Sequence, residues 1–177
     1  VSNVTGGTLT VDGAVESLTI NSIGAANTLV GASNAANTLT ITGTSDITIG
    51  GTNTTAETIT STSTGAVTLT SNNTNATSIT TGAGADSITL TGGSAVVETI
   101  STGAGNDTVF ISPGSDYEDG GEGDDNFVII GESDSYSDLT FNLETGSGYI
   151  TGTTPTSGTF ANFENFISGM NFEGERV

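Results

Sequence analysis

The chain contains no cysteine, no histidine and no tryptophan, and Arg176 is its only basic residue. Without cysteine there is neither a disulfide scaffold nor a thiolate zinc site. Without cysteine and histidine the common nucleophilic triads and imidazole-bound metals are excluded as well. The acids number 20 and the formal net charge is −19. Such a surface repels phosphate, so nucleic acid and anionic membrane are poor partners and cations are good ones. No apolar run approaches the roughly 18 residues of a membrane-spanning helix, so no membrane span is expected.

What is present is threonine, about a fifth of the 177 residues, with abundant glycine, serine and asparagine. That composition disfavours helices and suits strands and turns. Short apolar/Thr alternations recur: Leu9-Thr10-Val11, Leu18-Thr19-Ile20, Leu39-Thr40-Ile41, Ile47-Thr48-Ile49, Val67-Thr68-Leu69 and Ile88-Thr89-Leu90. A period of two means half-buried strands. Marking each strand by its first apolar residue gives two interleaved sets. One runs Leu9, Leu29, Ile47, Val67, Ile88, Val109, Phe127; the other runs Leu18, Leu39, Ile59, Ile79, Ile100. Both advance by about 20 residues, the signature of a short structural repeat.

These intervals predict an all-β fold: a right-handed parallel β-solenoid, or β-roll, with about 20 residues and two strands per turn. Successive coils stack at about 4.8 Å and the inward residues of the two faces meet in a thin core. An antiparallel sandwich of hairpins is the alternative, and the two-column register weighs against it. Residues 1–80 are expected to be a Thr/Gly/Asn-rich solenoid without clear metal motifs, distinct from 81–130 and 131–177.

Three stretches share a tighter pattern: Gly82-Ala83-Gly84-Ala85-Asp86, Gly103-Ala104-Gly105-Asn106-Asp107 and Gly121-Glu122-Gly123-Asp124-Asp125. Each reads G-x-G-x-D and opens a strand of the first set. Stacking predicts that Asp86, Asp107 and Asp125 share a column, where like charges repel unless a cation is bound. Glycines let the backbone curl so that carbonyl oxygens join the carboxylate. An all-oxygen, multi-carboxylate loop suits Ca2+ better than Mg2+ or a transition metal. Before residue 80 the corresponding turn positions are read as Gly7, Glu16, Asn27, Asn37, Ser45, Gly65 and Thr77, side chains that stack without metal. Glu57 and Glu98 lie on the opposite edge without glycines. Asp116, Glu118, Asp119, Glu122, Asp124, Glu132, Asp134 and Asp138 thicken the acidic region around the third copy. They read either as a solvated loop or as added calcium ligands, chiefly Asp116, Glu118, Asp119 or Asp124.

The three copies resemble the hemolysin-type calcium-binding repeats of the RTX family, G-G-x-G-x-D-x-U-x with U apolar. That resemblance implies a β-roll with Ca2+ in the turns. Asp86, Asp107 and Asp125 would be side-chain ligands, and Gly82, Gly84, Gly103, Gly105, Gly121 and Gly123 would shape the turns and lend carbonyls. Asp138 to Gly146, then Phe163-Glu164-Asn165-Phe166-Ile167-Ser168-Gly169, looks like the segment that punctuates RTX arrays, so the resemblance implies a calcium-binding β-roll over 81–130 and a punctuating segment over 131–177 that continues into further repeats. The family implies export by type I secretion and a place at the bacterial cell surface. The Thr-rich solenoid running into such repeats is similar to RTX-type S-layer proteins, which implies calcium-dependent self-association into a lattice. A large adhesin contacting surface polysaccharide or another surface protein, and the secretion module of a hydrolase, are the alternatives. No residue constellation supports catalysis within this chain, so no enzyme is expected.

One more pattern stands out on the second face. Ser17/Thr19, Thr38/Thr40, Thr58/Thr60, Ser78/Thr80 and Thr99/Ser101 should form two outward hydroxyl columns. Flat Thr-x-Thr arrays resemble ice-binding surfaces. The plainer account is that Thr is a soluble β-branched residue that packs well on strands.

Overall fold

The computed structural model describes residues 7–10, 16–33, 37–54, 56–71, 77–90, 97–111, 117–130, 136–142, 144–152 and 157–168. Strands are numbered β1 to β17 along the chain, and no helix occurs among the described residues. The first sheet holds β1 (Gly7–Thr10), β3 (Asn27–Ser33), β5 (Ile47–Thr54), β7 (Val67–Ser71), β9 (Ser87–Leu90), β11 (Thr108–Ile111), β13 (Asn126–Ile129) and β17 (Asn165–Ser168), in that spatial order. The second runs from β2 (Ser17–Ser22) through β4 (Thr38–Gly43), β6 (Thr58–Ser61), β8 (Thr77–Thr80), β10 (Glu98–Ser101) and β12 (Tyr117–Asp119) to β16 (Ser157–Ala161). All of these neighbours pair in parallel, and the chain alternates between sheets, which makes the fold a parallel β-solenoid with about 20 residues per coil.

Alternation explains the two faces of each strand. In β7 Val67, Leu69 and Ser71 point inward and Thr68 and Thr70 outward. Ile47, Ile49, Val67, Leu69, Ile88, Leu90, Val109, Ile111, Phe127 and Ile129 from one sheet meet Ile20, Leu39, Ile41, Ile59, Ile79, Ile100 and Phe160 from the other. Each such side chain contributes about 1.5–3 kcal/mol on burial. Stacking supplies the rest of the coil's order, because a single coil cannot bury its inner face alone.

The second-sheet register is the expected one: Leu18 pairs with Leu39, Leu39 with Ile59, Ile59 with Ile79 and Ile79 with Ile100. Both hydroxyl columns are therefore continuous from Ser17 and Thr19 to Thr99 and Ser101, and they end at Tyr117 and Asp119. The first sheet departs from expectation in three places. Leu29 pairs with Gly7, not Leu9, and with Ile49, not Ile47, while Ile88 pairs with Leu69, not Val67. A slip by two residues keeps every side chain on the same face, so apolar periodicity is blind to it.

The end of the solenoid is built differently. β14 (Tyr136–Asn142) and β15 (Ser147–Gly152) form an antiparallel pair, and β15 joins β16 antiparallel, so this hairpin extends the second sheet beyond the last parallel coil. Phe127 stacks on Phe160 with ring centroids 4.4 Å apart and meets Phe163 edge-on at 5.1 Å. Phe141 touches both Phe160 and Phe166, at 5.5 and 5.2 Å. This aromatic group replaces the aliphatic columns at the last coil. Residues 169–177, toward which further repeats were expected, lie outside the described residues.

Candidate metal centre

The first copy of the motif is one of five matching turns that carry the chain from the second sheet to the first. They are Gly43 to Ile47, Ser63 to Val67, Gly82 to Asp86, Gly103 to Asp107 and Gly121 to Asp125. Main-chain bonds tie each to the next: Thr64 N donates to Gly43 O (3.2 Å), Ala83 N to Ser63 O (3.2 Å), Ala104 N to Gly82 O (2.9 Å) and Glu122 N to Gly103 O (2.8 Å). Gly103 and Gly121 have φ of 89° and 91°, and a Cβ on either would strike the carbonyl oxygen of the coil before. Only glycine fits both demands. Gly82 and Gly84 are not among the positive-φ glycines; they are needed for close approach, since a Cβ on Gly84 would stand 2.5 Å from the Gly65 carbonyl carbon. Gly105 and Gly123 lie beside the acids: a Cβ there would come within 3.2 Å of Asp107 Oδ1 and 3.0 Å of Asp125 Oδ1.

Register brings Asp86, Asp107 and Asp125 into one column, as expected, and continues it differently on both sides. Toward the N-terminus the column holds Asn27, Ile47 and Val67 rather than Ser45 and Gly65. The aspartates thus occupy the inward position that Ile47 and Val67 fill with hydrocarbon. Their exposures are 2, 0 and 0% against 2 and 0% for Ile47 and Val67. Toward the C-terminus the pairing of Asn126 with Asn165 puts Glu164 next in line.

Each carboxylate reaches back one coil. Asp86 Oδ1 accepts the Val67 amide (2.7 Å), Asp107 Oδ1 the Asp86 amide (2.7 Å) and Asp125 Oδ1 the Asp107 amide (2.8 Å). In the apolar coils the same amides go to main-chain carbonyls, Asn27 N to Asp46 O and Ile47 N to Ala66 O. One oxygen of every aspartate is therefore structural. The other, Oδ2, is buried without a hydrogen-bond partner in all three residues. A buried polar atom left bare costs about 1–3 kcal/mol, and more when charged.

The acids respond as that position demands. Burial pushes the carboxyls of Asp86 and Asp107 above their ordinary value; nearby amides and the Thr81 and Thr102 hydroxyls offset part of the rise. Burial likewise pushes Asp125 up to about 6, opposed by the Asp107 amide and reinforced by the negative charges of Asp107, Glu164 and Asp124. An oxygen that lacks a donor and resists carrying charge is satisfied by a proton or a cation. The donor set is all oxygen, from carboxylates and turn carbonyls, and that suits a hard, flexibly coordinated ion such as calcium. Among the described residues no three acids converge on one point. A bound ion would thus rely on one or two carboxylates and on main-chain oxygens.

The remaining candidates fall around this column. Asp119 is half-buried, and its Oδ1 accepts the Gly121 amide (3.1 Å) and the Asn162 side chain (2.7 Å). Asp124 is exposed and accepts the Asn165 side chain (2.7 Å). Neither points into the column. Glu118 is buried and stands between Ile100 and Phe160, away from the turns. Asp116, Glu132 and Asp134 lie outside the described residues. Glu164, read in the sequence only as part of the punctuating segment, accepts the Asp125 amide on Oε2 (2.8 Å) and so repeats the aspartate contact. Its signal was available: it precedes the strand Asn165–Ser168 as Asp125 precedes Asn126.

Comparisons with protein-family models, with curated proteins and with solved structures gave no match to this chain.

Proposed function

We propose that this chain is a segment of an exported calcium-binding structural protein of the bacterial cell surface, of the S-layer type. The observation that supports this reading is the inward column Asp86, Asp107, Asp125, each with a buried oxygen lacking a partner. When bound, calcium supplies the positive charge and the ligation those oxygens lack. The residues of the chain do the rest: Oδ1 atoms tie consecutive coils, and the glycines let carbonyls approach. In millimolar calcium the coils from Thr81 onward become rigid, and the ion also gathers between acidic neighbours. Extracellular modules bind at roughly 10⁻⁴ to 10⁻³ M, which matches that role. The partner is a further copy of the same protein in a lattice.

Calcium titration followed by circular dichroism and particle size tests this. Ordered assembly of the full-length parent is expected in millimolar Ca2+, and none in high NaCl with chelator. Mg2+ should substitute poorly because it prefers tighter octahedral geometry. Sheets forming equally in chelator overturn the reading. A second reading draws on the unbroken hydroxyl columns of the second sheet: an adhesin whose flat face engages a surface polysaccharide or another surface protein. Electron micrographs separate the two, since only the first forms a lattice.

A further inference from the structure

The last repeat coil differs from the two before it. Thr81 and Thr102 occupy equivalent positions after their strands, and their hydroxyls donate to Thr102 O (2.9 Å) and Gly120 O (2.8 Å). Each also lies close to the aspartate of its own coil, Asp86 and Asp107. The third coil has Gly120 at this position, by the register of Ser101 with Asp119. Asp125 therefore has no threonine hydroxyl beside it. The point that a Gly120 Cβ would occupy is 2.9 Å from Asp125 Oδ2 and presses on the carbonyl oxygen of Asn162. Asp125 is fully buried and its Oδ2 has no partner.

What faces Asp125 on this side comes from outside the repeats. The stretch Asn162-Phe163-Glu164 replaces the longer Gly120-to-Asp125 turn and contains no glycine. Asn162 makes the tight bend with φ of 58°. Phe163, buried against Phe127, anchors it. Asn162 and Asn165 hold the outer acids Asp119 and Asp124 through their side-chain amides. Glu164 has one methylene more than aspartate, and from this shorter turn its Oε2 still reaches the Asp125 amide. Glu164 is exposed, so its second oxygen is accessible to an ion from solvent.

We propose that Asp125, Glu164 and the Asn162 carbonyl form a divalent-cation site at the C-terminal end of the column, with Gly120 letting the Asn162 carbonyl and the Asp125 carboxylate approach the same point. The proposal rests on the calcium reading above and adds a site that the glycine–aspartate motif does not mark. Its ion takes oxygen ligands from two carboxylates and the main chain, which favours calcium over magnesium. Glu164→Gln keeps the side-chain length and an acceptor for the Asp125 amide while removing the charge. Isothermal titration calorimetry with CaCl2 should show one ion fewer for Glu164→Gln than for the parent, with an unchanged circular dichroism spectrum. Glu57→Gln, an exposed acid elsewhere, should keep the parent number. An unchanged number for Glu164→Gln overturns this site alone; a parent that binds no calcium overturns the calcium reading with it. Hydrogen exchange of the parent needs no variant. Calcium should protect the amides of Asp125 and Glu164 as strongly as that of Asp107. Protection at Asp107 with none at Asp125 and Glu164 also overturns the proposal.

Discussion

The coils around Ile47 and Val67 and those around Asp86, Asp107 and Asp125 share one backbone path and one inward column. They solve the same burial problem with opposite chemistry. Ile47 and Val67 bury hydrocarbon, and the Asn27 and Ile47 amides beside them bond to main-chain carbonyls. In the later coils a carboxylate oxygen takes over that acceptor role and its twin is left bare. The comparison teaches that one scaffold accommodates either chemistry in its inward column. An unmet need for a proton or a cation arises where aspartate replaces an aliphatic residue in this buried column.

The largest effect should come from removing calcium. In chelator, amides from Thr81 to Ser168 should lose protection while those of residues 37–71 keep theirs, as read by hydrogen exchange. Equal protection in both regions would dissolve the distinction. Next, moving the chemistry across the boundary should be costly: Val67→Asp places a further acid in the column without a G-x-G turn. An uncompensated buried charge costs about 3–5 kcal/mol. Urea unfolding in chelator should show a loss of that order. A smaller loss is expected for Gly103→Ala, because the residue sits at positive φ against the Gly82 carbonyl. Strain of this kind costs about 1–3 kcal/mol, and in the apolar coils the equivalent position already carries a side chain, Ser63.

Acidification should sharpen the contrast further. The Asp125 carboxyl is raised from 3.8 to about 6, so the folded chain holds a proton more tightly than the unfolded one. Its contribution is full below pH 3.8 and is lost as pH rises through about 6. In chelator the thermal midpoint should therefore be higher at pH 5 than at pH 7.5. In calcium the order should reverse, since protons displace the ion. The smallest change is expected from Thr58→Ala on the exposed hydroxyl column, within about 0.5 kcal/mol by thermal unfolding. A larger loss there would mean that the ladder holds the sheet together.

Much of this was legible in the residues. The Leu39, Ile59, Ile79 and Ile100 column follows from spacing alone, and so does the stacking of Asp107 on Asp125. The errors have a common source. Assigning Ile47 to Leu29, and Ser45 and Gly65 to the acidic column, each mistook the register by two residues, a shift that leaves the alternation intact. Turn length decides such a shift: the bend after Ser22 is one residue longer than the one after Gly43, and neither carries a residue type that reveals it.

Alternation of apolar residues with threonine, glycine-rich turns and a period near 20 residues determined the class of fold, because these are local properties read along one coil. Only the tertiary structure decided what the aspartates face. Whether a carboxylate at a turn points to water or into a closed column depends on the coils above and below it. The same holds for Glu164, whose place at the end of the column comes from the pairing of β17 with β13 across the intervening hairpin. Sequence distance hides that contact, and the stacking of coils creates it.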